Sequence, residues 1–441
     1  MSDIDDLIAA RSADWIALRR DLHRHPELGF TEYRTISRLA TRLAALGYDI
    51  RLGEEVLRRD AMIGVPDRAT IDAARDRALT AGADPGHVTR MGEGMTALVG
   101  ELRRGPGPVV AMRFDVDALP ILEEDTQGHL PHRLGFASVH PGAMHACAHD
   151  GHATIGIGLA EAAARPDARW HGTLRLIFQP AEEGGRGARP MVEAGVVDDA
   201  DWFFALHLGC DLPSGKVACE AAEMMFSAKW DVTFRGLAAH AAGNPENGHN
   251  ALLAAAQATI GLYALPRHGR YLTHVNVGRL EGGSARNVIA DRASMQIELR
   301  GSSDAALAHM VARGRTMLEG IAAANGCEIA IEEMGLTVGA DASPEAAARI
   351  GAVAQGLRGI DDVLERWPLG GGDDAAFFVR RVQERGGHAA YMVLGSDLAA
   401  GHHAINFDFD EADIATGVRL MTGLLESVGQ EGNSRGEGNA A

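Results

Sequence analysis

The sequence predicts an α/β protein in which a small ferredoxin-like domain is inserted into a larger domain, and three observations carry that reading. Helical periodicity and short apolar runs alternate through residues 1–222. Near residue 226 the pattern changes to alternating apolar and polar positions, in a βαββαβ order that closes near residue 336. The first style then resumes over residues 337–428, and a length of 441 residues supports two cores better than one.

In order, helices are predicted over residues 4–22 and 31–46, then strands over 96–102 and 108–114. The stretch 54–91 breaks the rhythm with charged, Ala-rich patterning around Pro66 and Pro85, and reads as a helical excursion at the rim of a cleft. Strands at 173–179 and 202–208 flank a helix at 151–164, and each strand ends beside polar residues, where α/β sheets place their ligand sites. In the insertion, taken as residues 223–336, Ala228, Trp230, Val232 and Phe234 alternate with polar residues along a strand at 227–235. A helix at 249–263, strands at 272–280 and 292–300, a helix at 303–324 and a strand at 327–333 complete it. The larger domain returns with a helix at 343–357, a Gly-rich turn at 370–372, a strand at 389–394 and a helix at 410–428. The tail 429–441 is rich in Gly, Asn, Glu and Ser and is expected to be disordered.

Composition narrows the function classes. With 42 Lys and Arg against 60 Asp and Glu, the net charge of −18 repels nucleic acid and anionic membranes. Four cysteines (Cys147, Cys210, Cys219, Cys327) are too few and too irregular for a disulfide framework. The acidic N-terminus lacks the basic residues of a secretory signal, and the apolar stretch 251–265 is interrupted by Gln257 and Thr259, so a cytoplasmic location is expected.

The candidate chemistry starts in the run 144–152, where Cys147 and His149 stand two residues apart beside Asp150. Thiolate and imidazole are ligands for borderline-soft divalent ions, although a buried Cys beside a surface His is the plainer reading of such a triplet alone. Further donors follow predicted strands: Glu182 and Glu183, His207, and His402 and His403. In an adjacent carboxylate pair one member can bind a metal while the other takes a proton from water, and a solvated acidic turn is the alternative. A His at the end of an apolar strand can equally be a satisfied core residue.

Taken together the motifs resemble the M20 metallopeptidase and amidohydrolase family, in the branch that includes aminoacylases, indole-acetyl-amino-acid hydrolases and aminobenzoyl-glutamate hydrolase. The resemblance spans nearly the whole chain: residues 22–30, 113–120, 145–150 and 179–184, then Ala239-His240-Ala241 with Pro245, Gly248 and Asn250, then Gly282-Gly283 with Asn287-Val288-Ile289, and His403 with 407–410. It implies an α/β/α metallohydrolase domain carrying a lid or dimerisation domain. Cys147, His149, Glu183, His207 and His403 would hold one or two divalent ions, Mn2+ or Zn2+, with Glu182 as general base. Asp117 would steady a ligand from behind, while Asp115 stands where other branches carry a ligating His. His240 would reach the site of a partner chain to stabilise oxyanion charge, and Asn287 and Arg300 would bind a substrate carboxylate.

The implied reaction is cleavage of a C–N bond, the amide of an N-acyl or N-aroyl amino acid, by metal-bound water that Glu182 deprotonates. The same site would also serve hydrolytic deamination of an aromatic amine, or the chain would be a non-catalytic partner in a hetero-oligomer. The expected partners are a small, aromatic, carboxylate-bearing substrate and further copies of the chain in a homodimer or larger homo-oligomer, with no nucleic acid and no membrane. Three positions depart from the family's pattern: Ala148 for Gly, Gly372-Asp373-Asp374 for Ser-Glu-Asp, and Ile405 for Pro.

Overall fold

A computed structural model describes residues 3–429, so the tail expected to be disordered lies, past Gly429, outside the described residues. Before the insertion the strands are β1 (Asp49–Leu52), β2 (Leu98–Arg104), β3 (Val109–Asp115), β4 (Gly172–Gln179), β5 (Trp202–Leu208), β6 (Lys216–Ala218) and the two-residue β7 (Ala221–Ala222). The insertion holds β8 (Phe226–Arg235), β9 (Thr273–Gly282), β10 (Arg292–Gly301) and β11 (Glu328–Thr337). The chain returns through β12 (Asp362–Leu364), β13 (Trp367–Pro368) and β14 (His388–Leu394).

Eight strands form one mixed sheet in the order β1-β2-β4-β3-β5-β14-β6-β12. Its centre, β4, β3, β5 and β14, is parallel and buried on both faces, which is why those segments read as nearly continuous apolar runs. One face is covered by the helices Asp3–Arg24, His149–Ala163 and Asp413–Gly429, the other by Ala188–Glu193 and Ala376–Glu384. Helix His149–Ala163 is buried along almost its whole length. It lies this close because it is small-sided: a Cβ on Gly156 would sit 2.8 Å from the rings of Phe114 and Phe178, and one on Gly158 would sit 2.3 Å from Val418.

The inserted sheet runs β11-β8-β10-β9, antiparallel throughout, with helices Ala251–Tyr263 and Asp304–Ala324 packed on one face. That is the expected βαββαβ unit. Asn250 and Ser303 cap the two helices by accepting the backbone N–H of Leu253 and Ala306. The uncovered face carries Lys229, Glu298 and Arg300 toward the larger domain. A register shift near Glu333 carries β11 on to Thr337, and Leu336 donates to the carbonyl of Gly185, tying the insertion to the loop after β4.

Element ends move by a few residues from the sequence expectation, and several short elements were not foreseen: β1, β6, β7, β12, β13 and the helices Leu130–Leu134, Ala188–Glu193 and Ala376–Glu384. The excursion 54–91 forms two 3-10 turns and the helices Arg68–Thr80 and Pro85–Met91. Arg186 bridges it to the loop after β4, donating to the carbonyls of Gly64 at 2.8 Å and Glu183 at 3.1 Å. The four cysteines are free, and no helix among the described residues is long and apolar enough to cross a membrane.

The segment between β3 and helix His149–Ala163 is fastened by a buried charge relay. His23 reaches Asp150 through Nδ1 and Glu123 through Nε2, each at 2.9 Å, and His129 reaches the same oxygen of Glu123 at 2.8 Å. Burial opposes ionisation of Glu123, but hydrogen bonds from His129 and His23 hold its carboxyl down to about 2. A depressed carboxyl contributes stability above its unfolded value of 4.5 and loses it as pH falls toward 2. Glu123→Gln is therefore expected to lower stability at pH 6, with the gap from wild type closing as pH drops below 4.5; urea titrations across that range check it.

Candidate metal centre

The carboxyl ends of β3, β4 and β5 and the N-terminus of helix His149–Ala163 meet at one place, and the loops there depart from ordinary backbone to aim their side chains. Ala148, Ala181 and His403 all take positive φ, at 65°, 49° and 66°. Ala148 precedes the helix in left-handed geometry, a conformation that costs a residue with a Cβ about 1–2 kcal/mol and glycine almost nothing. The turn is what brings Cys147 and His149 to one point.

Two of the three candidate imidazoles, those of His149 and His207, are oriented from behind. His149 donates Nδ1–H to the carbonyl of Asp117 at 2.9 Å, leaving Nε2 buried and without a partner. His207 donates Nδ1–H to the carbonyl of Leu208 at 2.8 Å, with Nε2 3.5 Å from the Cys147 sulfur. Glu183 Oε1 is buried without a hydrogen-bond partner and lies 3.5 Å from His403 Nε2. Two sets of donors result, Cys147 with His149 and His207, and Cys147 with Glu183 and His403, the atoms of each lying within 4.8 Å of one another. Cys147 belongs to both.

The donors fit one or two divalent ions. Burial pushes the Glu183 carboxyl up to about 7, and pushes the Cys147 thiol up with added repulsion from Glu183. Glu182 is driven well above the usual carboxyl range by burial and then by Asp373 and Glu183. A divalent ion would offset the repulsion among anionic groups crowded this way and would satisfy the ligand atoms that have no hydrogen-bond partner.

Asp117 organises the carboxylate pair: Oδ1 accepts the N–H of Glu182 at 3.0 Å and Oδ2 that of Glu183 at 2.9 Å. Glu32, unforeseen in the sequence, accepts the N–H of Ala181 at 2.8 Å. Glu182 Oε2 stands 4.0 Å from His149 Nε2. Asp115 lies 3.7 Å from the same nitrogen, but its oxygens are already engaged by His152 Nδ1 at 2.6 Å and Arg113 at 2.7 Å. Arg113 also holds Asp373 at 3.1 Å, and Tyr391 donates to Asp373 at 2.5 Å, so this departure from the family pattern sits in a buried network beside Glu182.

The centre opens into a cavity of about 260 Å3 between the domains. Arg300 lines it, yet its guanidinium is held by both oxygens of Glu298, Nε to Oε2 at 2.9 Å and Nη2 to Oε1 at 3.0 Å. His240 and Asn287 lie outside the cavity lining, on the exposed surface of the insertion, joined where Ala241 donates to the carbonyl of Asn287. His240 Nδ1 accepts the N–H of Gly243 at 2.8 Å. Lys229, which the sequence did not single out, lines the cavity from β8. Its place in an alternating polar strand is the only signal it gives. Ile405 is exposed, its carbonyl accepting the N–H of Glu124 at 2.9 Å.

Convergent thiol, imidazole and carboxylate donors at the ends of a parallel sheet, with a free carboxylate beside them, define a metal-dependent hydrolase. The chain belongs to peptidase family M20/M25/M40, whose sequence pattern it matches over residues 111–427. It is 42% identical over 416 residues to one of the subunits of p-aminobenzoyl-glutamate hydrolase from Escherichia coli strain K12, covering 94% of this chain and 95% of that one. It is 44% identical over 406 residues to indole-3-acetyl-aspartic acid hydrolase of Enterobacter agglomerans, covering 91% and 93%. Among solved structures, the aminobenzoyl-glutamate utilization protein of Klebsiella pneumoniae superposes with a TM-score of 0.83 at 35% identity, covering 97% and 98%. A dinuclear metal-binding M20 peptidase of Bacillus subtilis gives 0.66 at 26% identity, covering 96% and 99%. The chain is thus an amidohydrolase of this family.

Proposed function

We propose that the chain hydrolyses the amide of an N-acyl or N-aroyl amino acid, of the kind in the names of its relatives, with Glu182 as general base and Cys147, His149, Glu183, His207 and His403 as metal ligands. The observation that carries this is the pair of neighbouring carboxylates that Asp117 holds by their backbone N–H groups, with Glu183 3.5 Å from His403 and Glu182 4.0 Å from His149, so that both face the same cluster of candidate ligands. A bound divalent ion, Mn2+ or Zn2+, supplies Lewis acidity for the substrate carbonyl and acidity for a water. Glu182 takes the proton of the attacking water at its carboxylate and returns it to the departing amine nitrogen. Arg113, Asp373 and Tyr391 fix the wall beside Glu182.

His240 stands apart from the cavity of its own chain, so a role for it in catalysis requires a second copy. Exposed Leu253, Ile260, Tyr263 and Leu272 on the insertion supply an apolar surface for a homodimer that brings His240 to a neighbouring cavity. The test is a screen of the chain purified alone, loaded with Mn2+ or Zn2+, against N-acyl and N-aroyl amino acids and simple aromatic amines. Release of a free amino acid is expected; ammonia from the aromatic amines as sole activity, or no activity without a second gene product, overturns the reading.

A further inference from the structure

Two cationic side chains reach the cavity from the uncovered face of the inserted sheet, Lys229 on β8 and Arg300 on β10. The register sets Lys229 directly opposite Glu298, the position from which a cross-strand ion pair is ordinarily made. Glu298 turns away: both of its oxygens go to Arg300, two residues along its own strand. Lys229 is left without a carboxylate within the 4.0 Å of an ion pair among the described residues. It is only partly exposed, and it lines the same cavity as Glu183 and His403.

A half-buried lysine whose cross-strand carboxylate is engaged elsewhere keeps its ammonium open to a ligand. Of the other charged side chains in the lining, Glu182, Glu183, Glu298 and Asp373 repel an anion, and Arg300 has its Nε and Nη2 engaged by Glu298. We infer that Lys229 receives a carboxylate of the departing amino acid, across the cavity from the metal centre, and so sets the preference for an anionic substrate. The inference rests on the amide-hydrolase reading for the identity of that amino acid. Lysine suits the task as a compact point charge on a flexible stem, able to follow either an α-carboxylate or a side-chain carboxylate.

The experiment uses the metal-loaded full chain, wild type, Lys229→Met and Lys229→Arg, with three probes: 4-aminobenzoyl-glutamate, its α-amide, and 4-aminobenzoyl-glutamine. Steady-state hydrolysis and calorimetric binding are both read. For the dicarboxylate, Lys229→Met is expected to weaken binding and kcat/KM about 10- to 100-fold, mainly through KM, the loss of one charge-assisted hydrogen bond. Lys229→Arg retains most of the affinity. The penalty vanishes for whichever amide analogue lacks the carboxylate that Lys229 takes, which identifies α or side chain. Equal behaviour of wild type and Lys229→Met on the dicarboxylate, or an equal loss on all three probes, overturns the inference. Lys229-dependent binding without hydrolysis would instead leave Lys229 as the anion receptor and remove the amide-hydrolase reading.

Discussion

Glu182→Gln is expected to lower kcat about 10^2- to 10^4-fold while metal content stays at the wild-type level. Glutamine keeps the size and the hydrogen-bonding reach of the side chain, and the backbone that Asp117 grips through the N–H groups of Glu182 and Glu183 is untouched. The ligand Glu183 therefore stays in place. What is lost is the capacity to accept a proton from water and hand it on, so the effect falls on kcat rather than on folding or metal uptake. Elemental analysis alongside steady-state kinetics separates the two: unchanged turnover with metal retained would remove Glu182 from the mechanism.

Cys147→Ala is expected to have the largest effect on the metal centre, because the sulfur is common to both donor sets. Each set would be left with two donors, and metal affinity is expected to weaken at least about 100-fold, with activity falling in parallel. The fold has an independent basis in the sheet and its two apolar layers, so far-ultraviolet circular dichroism should remain that of wild type. Loss of metal with retention of fold is the predicted pair of results. A variant that still binds its full complement of metal after dialysis would place the shared ligand elsewhere.

The architecture was legible where periodicity is strong. The central strands are buried on both sides and their apolar runs announce them; β8 and β10 alternate cleanly because one face packs on helices and the other faces the cleft. Short edge strands such as β6 and β12 have three residues each, too few to show any period. Helix Ala376–Glu384 starts without a capping side chain, which removes the usual sign of a helix start. In the site, the candidate donors were readable as residue types in motifs that follow strands, and the structure gathers Cys147 with His149 and His207 and with Glu183 and His403.

Roles that depend on who is paired with whom were not readable. Arg300 was expected to bind an anion, and nothing in the sequence signalled that Glu298, two residues earlier, would engage its Nε and Nη2. Lys229 looked like one more polar residue on a half-exposed strand, since alternation says which face a residue is on and not what that face meets. Asp115 was left without a role in the sequence, and the structure engages it with Arg113 and His152 behind His149. Ala148 read as a spacer that departs from a family glycine; its left-handed backbone shows what the glycine would have been for.

The central claim is metal-dependent hydrolysis of an amide by this chain. Its most direct test is the reaction of the singly purified protein with 4-aminobenzoyl-glutamate in oxygen-18 water, before and after chelation and again after adding back Mn2+ or Zn2+. The account predicts free glutamate, a single label in the carboxyl group of the released 4-aminobenzoic acid, no ammonia, and activity that disappears with the metal and returns with it. Ammonia without glutamate, or turnover indifferent to chelation, would contradict it.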